Sequence, residues 1–355
     1  MAAKSIKVST DGIIWNTLPG QTGSWDDTLG MLDDTVFGQV YKSNQPGLID
    51  AKITADAYYK GFAGYNATIK AVGTTTAFTA EAMTLVSGKT YKITNTVKQI
   101  WDRTVNLTVY DNGVDKTAFV ASIDYLFGQV TFLSTYTVTG PVTVTGSYFP
   151  TAALAQYRAF TLNQTAVAIE TSDLPTMQSN SGIRTFSLGL RSVSLQVDGI
   201  YKNSAPAYRG YITGRNEVII ELSPDGGGKT VSRGFYKAAS RKASGKVGEL
   251  ELETVQFDLF VPASILTSAA GPSLATPFNW QFTNTDLSTA VQQVLNAYIN
   301  GTSLYVQYLP DGGATAGAGL QNNAAVVTSC TLSGGYDAMN MFNVTLQASG
   351  AVTTV

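Results

Sequence analysis

The sequence predicts a mainly β, antiparallel fold, and three observations carry that prediction. Apolar and polar residues alternate with period two over most of the chain, turn-forming residues interrupt the alternation, and helical spacing is confined to a few short stretches. Alternation marks a strand with one covered face, because successive side chains point to opposite sides of a sheet.

The alternation is clearest in Asn106–Tyr110, Pro141–Tyr148, Ser192–Val197 and Val255–Phe260. Asp111-Asn112-Gly113 follows the first of these with residues that tolerate positive φ, as a tight hairpin requires. Pro224-Asp225-Gly226-Gly227 and Pro310-Asp311-Gly312-Gly313 close two further strands. The best helix runs over Asp286–Asn300, with Leu287, Val291, Val294, Leu295 and Tyr298 on one face. Thr285 or Asp286 caps its start, and Asn300-Gly301 ends it through a left-handed residue. A shorter helix is expected over Ala205–Thr213 and a third over Ala63–Ala71.

Internal repetition organises these elements. Gly47–Lys60 aligns without gaps on Gly189–Lys202, with Gly, Leu, Asp, Tyr and Lys coinciding and the alternation in phase. A second match joins Tyr211–Gly214 and Val218–Gly227 to Tyr298–Gly301 and Leu304–Gly313, with Phe257 and Leu259 opposite Val344 and Leu346. The repeated unit reads strand, helix, strand, turn, long loop, strand. The expected division is residues 1–72 as the first part of unit one, 73–155 as an interposed β domain, 156–265 as unit two, and 266–355 as the helix and strands completing unit one. Strands of the interposed domain are expected over Thr90–Thr96, Val105–Tyr110, Ala118–Ile123 and Gln129–Phe132.

Composition narrows the function. Of 355 residues, 44% are hydrophobic and only 14% charged, against roughly a quarter charged in ordinary soluble domains. A surface with so little charge points to assembly, with partners covering much of it; a Ser/Thr-rich extracellular β-protein is the alternative. Histidine is absent, which removes imidazole acid–base chemistry and the triads built on it. One cysteine, Cys330, excludes an internal disulfide and a Cys-rich zinc site, and its alternating segment makes it a core filler. A net charge of −2 and a pI near 5.3 argue against a protein that grips phosphates. No secretory signal or transmembrane run is visible, so synthesis in a cytoplasm and no membrane contact are expected.

No catalytic constellation, metal site or cofactor site emerges. Gly226–Thr230 imitates a phosphate loop, but position 223 is Ser223 and a strand-to-helix transition is missing, so a hairpin loop is expected. Asp26-Asp27 and Asp33-Asp34 are adjacent pairs whose side chains diverge on an extended chain; they solvate a loop, cap turns or meet a basic partner. From Lys229 to Lys246 stand six basic residues, Lys229, Arg233, Lys237, Arg241, Lys242 and Lys246, and no acidic one. This segment reads either as a solvated mobile loop or as a docking arm for an acidic surface on a neighbouring subunit.

The repeated unit resembles the tail tube (major tail) protein of long-tailed bacteriophages. The residues that carry the resemblance are Asp34-Thr35-Val36-Phe37 before Gly47-Leu48…Ala55-Asp56-Ala57-Tyr58-Tyr59, its echo at Gly189–Tyr201, and the ending Leu332–Asp337 and Phe342–Gly350. The resemblance implies a tail-tube-type β-sandwich or barrel with a flanking helix, here duplicated. It also implies a non-enzymatic virion protein that self-assembles into stacked rings around a tape-measure protein, beside tail terminator and distal tail proteins, with DNA passing the lumen without specific binding. Six chains, or three carrying two copies each, complete a ring. The lumen hairpins are expected on the two alternating strands, at Gly47, Leu48, Ile53, Asp56 and Tyr59 and at Gly189, Leu190, Leu195, Asp198 and Tyr201. The interposed domain is expected outside the tube. Rival readings are another virion β-protein, such as a capsid decoration or tail terminator, and a carbohydrate-binding surface protein.

Overall fold

The computed structural model describes residues 4–36, 41–58, 66–173, 183–200, 206–223, 232–247, 251–260, 278–280, 287–335 and 338–355. Antiparallel strands make up most of it, as the alternation predicts. The chain begins with β1 (Ser5–Ser9), β2 (Asn16–Thr17), β3 (Gly20–Asp33), β4 (Asn44–Tyr58) and β5 (Asn66–Val72). A compact group follows: β6 (Thr76–Ser87), β7 (Thr90–Ile93), β8 (Thr108–Asp111), β9 (Val114–Asp115), β10 (Val120–Asp124), β11 (Gln129–Phe132) and β12 (Val142–Tyr148). Then come β13 (Thr151–Tyr157), β14 (Ala159–Glu170), β15 (Phe186–Ile200), the helix α1 (Pro206–Thr213), β16 (Val218–Ser223), β17 (Ser232–Ser244), β18 (Leu252–Leu259) and β19 (Phe278–Trp280). Helix α2 (Thr289–Asn300), β20 (Leu304–Leu309), β21 (Leu320–Gly335), β22 (Ala338–Gln347) and β23 (Val352–Thr354) complete it.

Two compact units divide these elements: residues 1–65, 159–196 and 282–355, and residues 66–158 and 197–281. In the first, β21 is the long central strand. Its start pairs β20 and β23, its remainder pairs β14 and β22, and the ladder continues from β22 to β4 and β3 and from β20 to β1 and β2. The core of this unit gathers Val8, Ile53, Leu162, Leu195, Val291, Leu295, Val306, Leu332 and Leu346, all fully buried.

The second unit repeats that plan. Its order β5–β16–β17–β18, with β19 on the start of β17, matches β1–β20–β21–β22 with β23 on the start of β21. Each central ladder carries a one-residue bulge, between Ala238 and Ser240 and between Val327 and Ser329. The bulges refine the alignment, because Ala238 pairs Phe257 as Val327 pairs Leu346. Phe257 therefore corresponds to Leu346 rather than to Val344. A shift of two residues keeps every side chain on its own face, so alternation alone does not distinguish the registers.

Four expectations need correction. Ala63–Ala71 is not a helix over its described part: Ala67, Ile69 and Ala71 are buried in alternation on β5, and edge pairing with β13 and β16 outweighs the helical preference of alanine. Consequently residues 66–72 belong to the second unit, where β5–β13 occupies the place of β1–β2. The interposed sheet is thus inserted inside the first hairpin of the second copy, where the first copy has only a short turn. The third correction concerns α2, which starts at Thr289 with Ser288 as its cap, not at Thr285 or Asp286; Ser288 Oγ accepts from Val291 N at 3.3 Å. Its end is as expected, with Gly301 left-handed at φ 69°. Residues 159–196 also cluster with the first unit rather than the second.

The interposed strands form a seven-stranded sheet in the order β10–β11–β7–β6–β12–β8–β9. Asn112 and Gly113 have φ of 51° and 75° between paired Asp111 and Val114, the tight turn that the sequence signals. Phe78, Trp101, Leu107, Val109, Val130, Phe132 and Val144 fill its core. A second apolar cluster, Ile100, Leu126 and Phe127 with Ile219 and Phe235, seats this sheet on β16 and β17 of its own unit.

Candidate assembly surface

β4 and β15 have the same length and the same offset as the aligned repeat, Asn44–Tyr58 against Phe186–Ile200. Burial follows the alignment residue by residue. Ala51, Ile53, Ala55 and Ala57 are buried on one strand, as are Val193, Leu195 and Val197 with Gly199 on the other. The opposite face is polar: Lys52, Thr54 and Asp56 on β4, and Ser194, Gln196 and Asp198 on β15. Of the residues expected to line a lumen, Asp56 is exposed and Asp198 half-buried, on that polar face. Ile53 and Leu195 have no exposure and face the core, because they stand one position out of phase with the polar residues. Tyr59 and Tyr201 lie outside the described residues.

Each strand is one arm of a long hairpin. β3 pairs β4 from Gly20↔Ala57 to Asp33↔Asn44, and β14 pairs β15. Near their bases both hairpins are covered. β22 flanks β4 from Lys52 to Tyr58, and β21 flanks β14 from Ala159 to Thr165. Beyond those points the flanking ladders give way, on β4, to an isolated bridge of Ile49 to Ile183, and several apolar residues become exposed: Leu29, Met31 and Leu32 on β3, Val167 and Ile169 on β14, and Leu190 on β15, which is 88% exposed. Leu48 is half-buried on the same stretch of β4. At Gly47 the backbones approach closely; a Cβ there would stand 2.9 Å from the carbonyl oxygen of Gly30. At Gly189 a Cβ would meet Ile169 Cδ1 at 2.8 Å.

Helix α2 holds the second hairpin in place. The Tyr298 hydroxyl lies 3.0 Å from the carbonyl oxygen of Thr165 on β14 and 2.9 Å from that of Ser192 on β15, sharing its proton between the two strands. Burial pushes this phenol well above its ordinary pKa. Arg191 Nη1 donates to the carbonyl of Tyr298 at 2.8 Å and to that of Ile299, where a cation complements the helix C-terminus. Nothing in the repeat alignment signalled the Tyr298 and Arg191 contacts, because both join residues more than a hundred positions apart.

The basic segment is distributed differently from the expected arm. Lys229 lies outside the described residues. From Ser232 the chain is strand β17, not a loop, and Arg233 is buried. Its Nε donates to Glu221 Oε1 at 2.7 Å and its Nη1 to Gln99 Oε1 at 3.1 Å and to the Leu126 carbonyl at 3.0 Å. Arg233, expected in a docking arm, is instead an internal joint, its buried guanidinium held by three acceptors of its own unit. Arg241 pairs with buried Glu253, and Lys237 Nζ lies over the Phe260 ring at 3.7 Å. Lys242 and Lys246, at the distal end of the β17–β18 hairpin, are exposed.

Cys330 is buried on β21, and burial raises its thiol far above the ordinary value, the state of a packed core residue. Among the described residues no group of acidic and cysteine side chains has the geometry to hold a metal ion. No helix there is long and apolar enough to cross a membrane.

No family model matches the chain, and a search of the curated proteins finds no match. Among solved structures, a chain of the virion of a native gene transfer agent particle aligns with 32% of this chain and 85% of its own, at 17% identity and a TM-score of 0.27. A chain from the tail of an empty gene transfer agent particle with C6 symmetry aligns with 32% and 84%, at 18% identity and a TM-score of 0.26.

Proposed function

We propose that this chain is the tube-forming subunit of a phage-like tail. Copies join side by side through their two long hairpins into closed rings, and rings stack into a conduit for DNA in the virion. The observation that carries this reading is the pair of equivalent hairpins, each covered at its base and apolar but exposed beyond it. Exposed hairpin ends of this kind invite pairing with another chain, and closing them into a barrel removes the free edges. Two hairpins of one plan in each chain give every copy two equivalent places in the ring wall. Three chains would then supply six hairpins.

The polar faces of β4 and β15 suit a lumen wall. Lys52, Asp56 and Asp198 leave it weakly and oppositely charged, so phosphates would slide past without being held. The inserted seven-stranded sheet lies on the exterior in this reading. The tape-measure protein fills the lumen before ejection, and terminator and distal tail proteins close the ends.

Electron microscopy of the purified chain tests this. Hollow tubes or rings are expected, and their loss is expected in Met31→Ser/Leu32→Ser and in Ile169→Ser/Leu190→Ser chains that melt at the wild-type temperature. A wild-type chain that sediments as a monomer at every concentration and salt would overturn the reading.

A further inference from the structure

We infer that the outer edge of β3 in one chain pairs antiparallel with the distal half of β17 in the next chain, from Ser24 opposite Ser244 to Thr28 opposite Ser240. This rests on the self-assembly reading and names its ring contact.

A finished version of this junction lies within each chain. β14, the outer arm of the second repeat's hairpin, pairs β21, the central strand of the first repeat, from Ala159↔Gly335 to Thr165↔Ser329. That ladder is why residues 159–196 cluster with the first unit. β3 is the equivalent of β14, since each is the outer arm beside one of the aligned strands β4 and β15. β17 is the equivalent of β21, with the same bulge. Among the described residues, however, β3 pairs β4 alone. On the side where β21 receives β14, β17 is covered by β16 only as far as Tyr236.

Burial records the difference. In the finished junction Phe160, Leu162 and Gln164 on β14 and Cys330 and Leu332 on β21 are all buried. At the equivalent open positions Trp25 and Arg241 are half-buried, and Asp27 and Ala243 are exposed.

The repeat also fixes the register. The Thr165 and Ser192 hydroxyls face each other at 3.1 Å across β14–β15, as Thr28 pairs Asp50 across β3–β4, and Ser192 aligns on Asp50. Thr28 therefore stands for Thr165, and Ser240 stands for Ser329, the first residue after the bulge in each ladder. Trp25 then meets Ala243, where the finished junction sets Leu162 against Leu332. Asp27 meets Arg241 and Asp26 meets Lys242, so no like charges oppose each other.

A free edge presents unpaired N–H and C=O groups that another strand can complete. What selects the occupant is the repeat: every chain carries one uncovered equivalent of β14 and one of β21, and these already fit each other once. The contact is heterologous, so it repeats from chain to chain until a ring closes.

Two measurements test the pairing. In the first, an Asp26→Cys chain is mixed with a Lys242→Cys chain and oxidised; native Cys330 is buried and stays silent. A cross-linked dimer of unlike chains, several-fold in excess over either like dimer, is expected, with a much lower yield when Ser244→Cys replaces Lys242→Cys. In the second, amide exchange over residues 22–28 and 240–244 should slow by about tenfold or more on assembly, while β14 and β21 exchange as before. Absence of the unlike dimer, or a predominance of like dimers, overturns the pairing. So do equal yields from Ser244→Cys, and cross-linking only within a chain carrying both cysteines. If wild type forms rings or tubes with exchange over both segments unchanged, the pairing is overturned while self-assembly stands. If the unlike chains cross-link yet wild type forms no ring or tube, the pairing stands and the tube reading fails.

Discussion

The guanidinium of Arg103 lies 3.5 Å from the centre of the Phe235 ring, and Arg233, two residues earlier on the same strand, lies over the Phe127 ring at 4.8 Å. The inserted sheet and its host strand thus exchange an arginine for a phenylalanine in both directions. Each arginine is also paired with a carboxylate, Arg103 with Glu217 at 2.7 Å and Arg233 with Glu221 at 2.7 Å. Lys70 adds a second cation at 2.6 Å from Glu221. Burial lowers the Arg103 pKa, and Glu217 opposes that shift.

Breaking this clasp should loosen the inserted sheet. Arg233→Met leaves Glu221 buried with Lys70 alone and removes the donor from Gln99 and Leu126, at an expected cost of about 3 kcal/mol. Arg103→Met should cost about 2 kcal/mol, since Glu217 retains access to water. Urea unfolding monitors both. A loss below ~0.5 kcal/mol in Arg233→Met would show that the joint is held by its apolar cluster alone.

Asp111 should make the inserted sheet acid-sensitive. Desolvation pushes its carboxyl upward, but the backbone N–H groups of Thr139 and Gly140 and the hydroxyls of Tyr136 and Thr139 outweigh it and hold the pKa below the ordinary value. Those donors lie at 2.7–3.0 Å. A depressed folded pKa means stability that is complete above the unfolded value, near 4, and is lost as pH falls through the folded one. Asp111→Ala strands these donors and should cost on the order of 3 kcal/mol at pH 7, with a flatter acid limb in its stability profile. Thermal melts from pH 7 to 2 compare the two chains. The same hydrogen bond, after desolvation, raises the Tyr136 phenol to about 12.

Two glycines separate backbone strain from crowding. Gly113 and Gly128 have φ of +75° and +63°, but a Cβ at Gly113 meets nothing within 4 Å, whereas one at Gly128 stands 2.7 Å from Ile93 Cγ2 and 2.9 Å from the Gln99 carbonyl. Gly113→Ala should therefore cost about 1 kcal/mol from conformation alone, and Gly128→Ala at least ~3 kcal/mol. Equal losses in urea unfolding would contradict the crowding at Gly128.

Helix α2 offers a graded test of the hairpin anchor. Ser288→Ala removes only the cap and should cost about 1 kcal/mol. Tyr298→Phe deprives the Thr165 and Ser192 carbonyls of their shared donor and should cost about 1–2 kcal/mol. Only Tyr298→Phe should also speed amide exchange along β14 and β15, because the cap touches neither strand. Exchange unchanged in Tyr298→Phe would exclude the anchoring role.

Much of the fold was legible because its signals are local. Asn112-Gly113 announces its turn through the φ values it tolerates, and Gly301 its helix end in the same way. The aligned repeat, Gly47–Lys60 on Gly189–Lys202, located β4 and β15 with the right offset, though each strand begins three residues earlier and ends two residues sooner, since in-phase alternation is both a sequence pattern and a burial pattern. Ile53 and Leu195 face the core because their neighbours in the alternation hold the polar face.

Composition and alternation by themselves determined a β fold, its duplication and the absence of histidine chemistry, because each depends on residues near one another in the chain or on none in particular. Tertiary structure alone decided where β5 pairs, which arginine is buried, and which hairpin ends stay uncovered. Those outcomes turn on partners far apart in sequence. Ala67 and Ile69 become strand residues only when β16 lies beside them, and Arg233 is desolvated only once Glu221, Gln99 and the Leu126 carbonyl surround it.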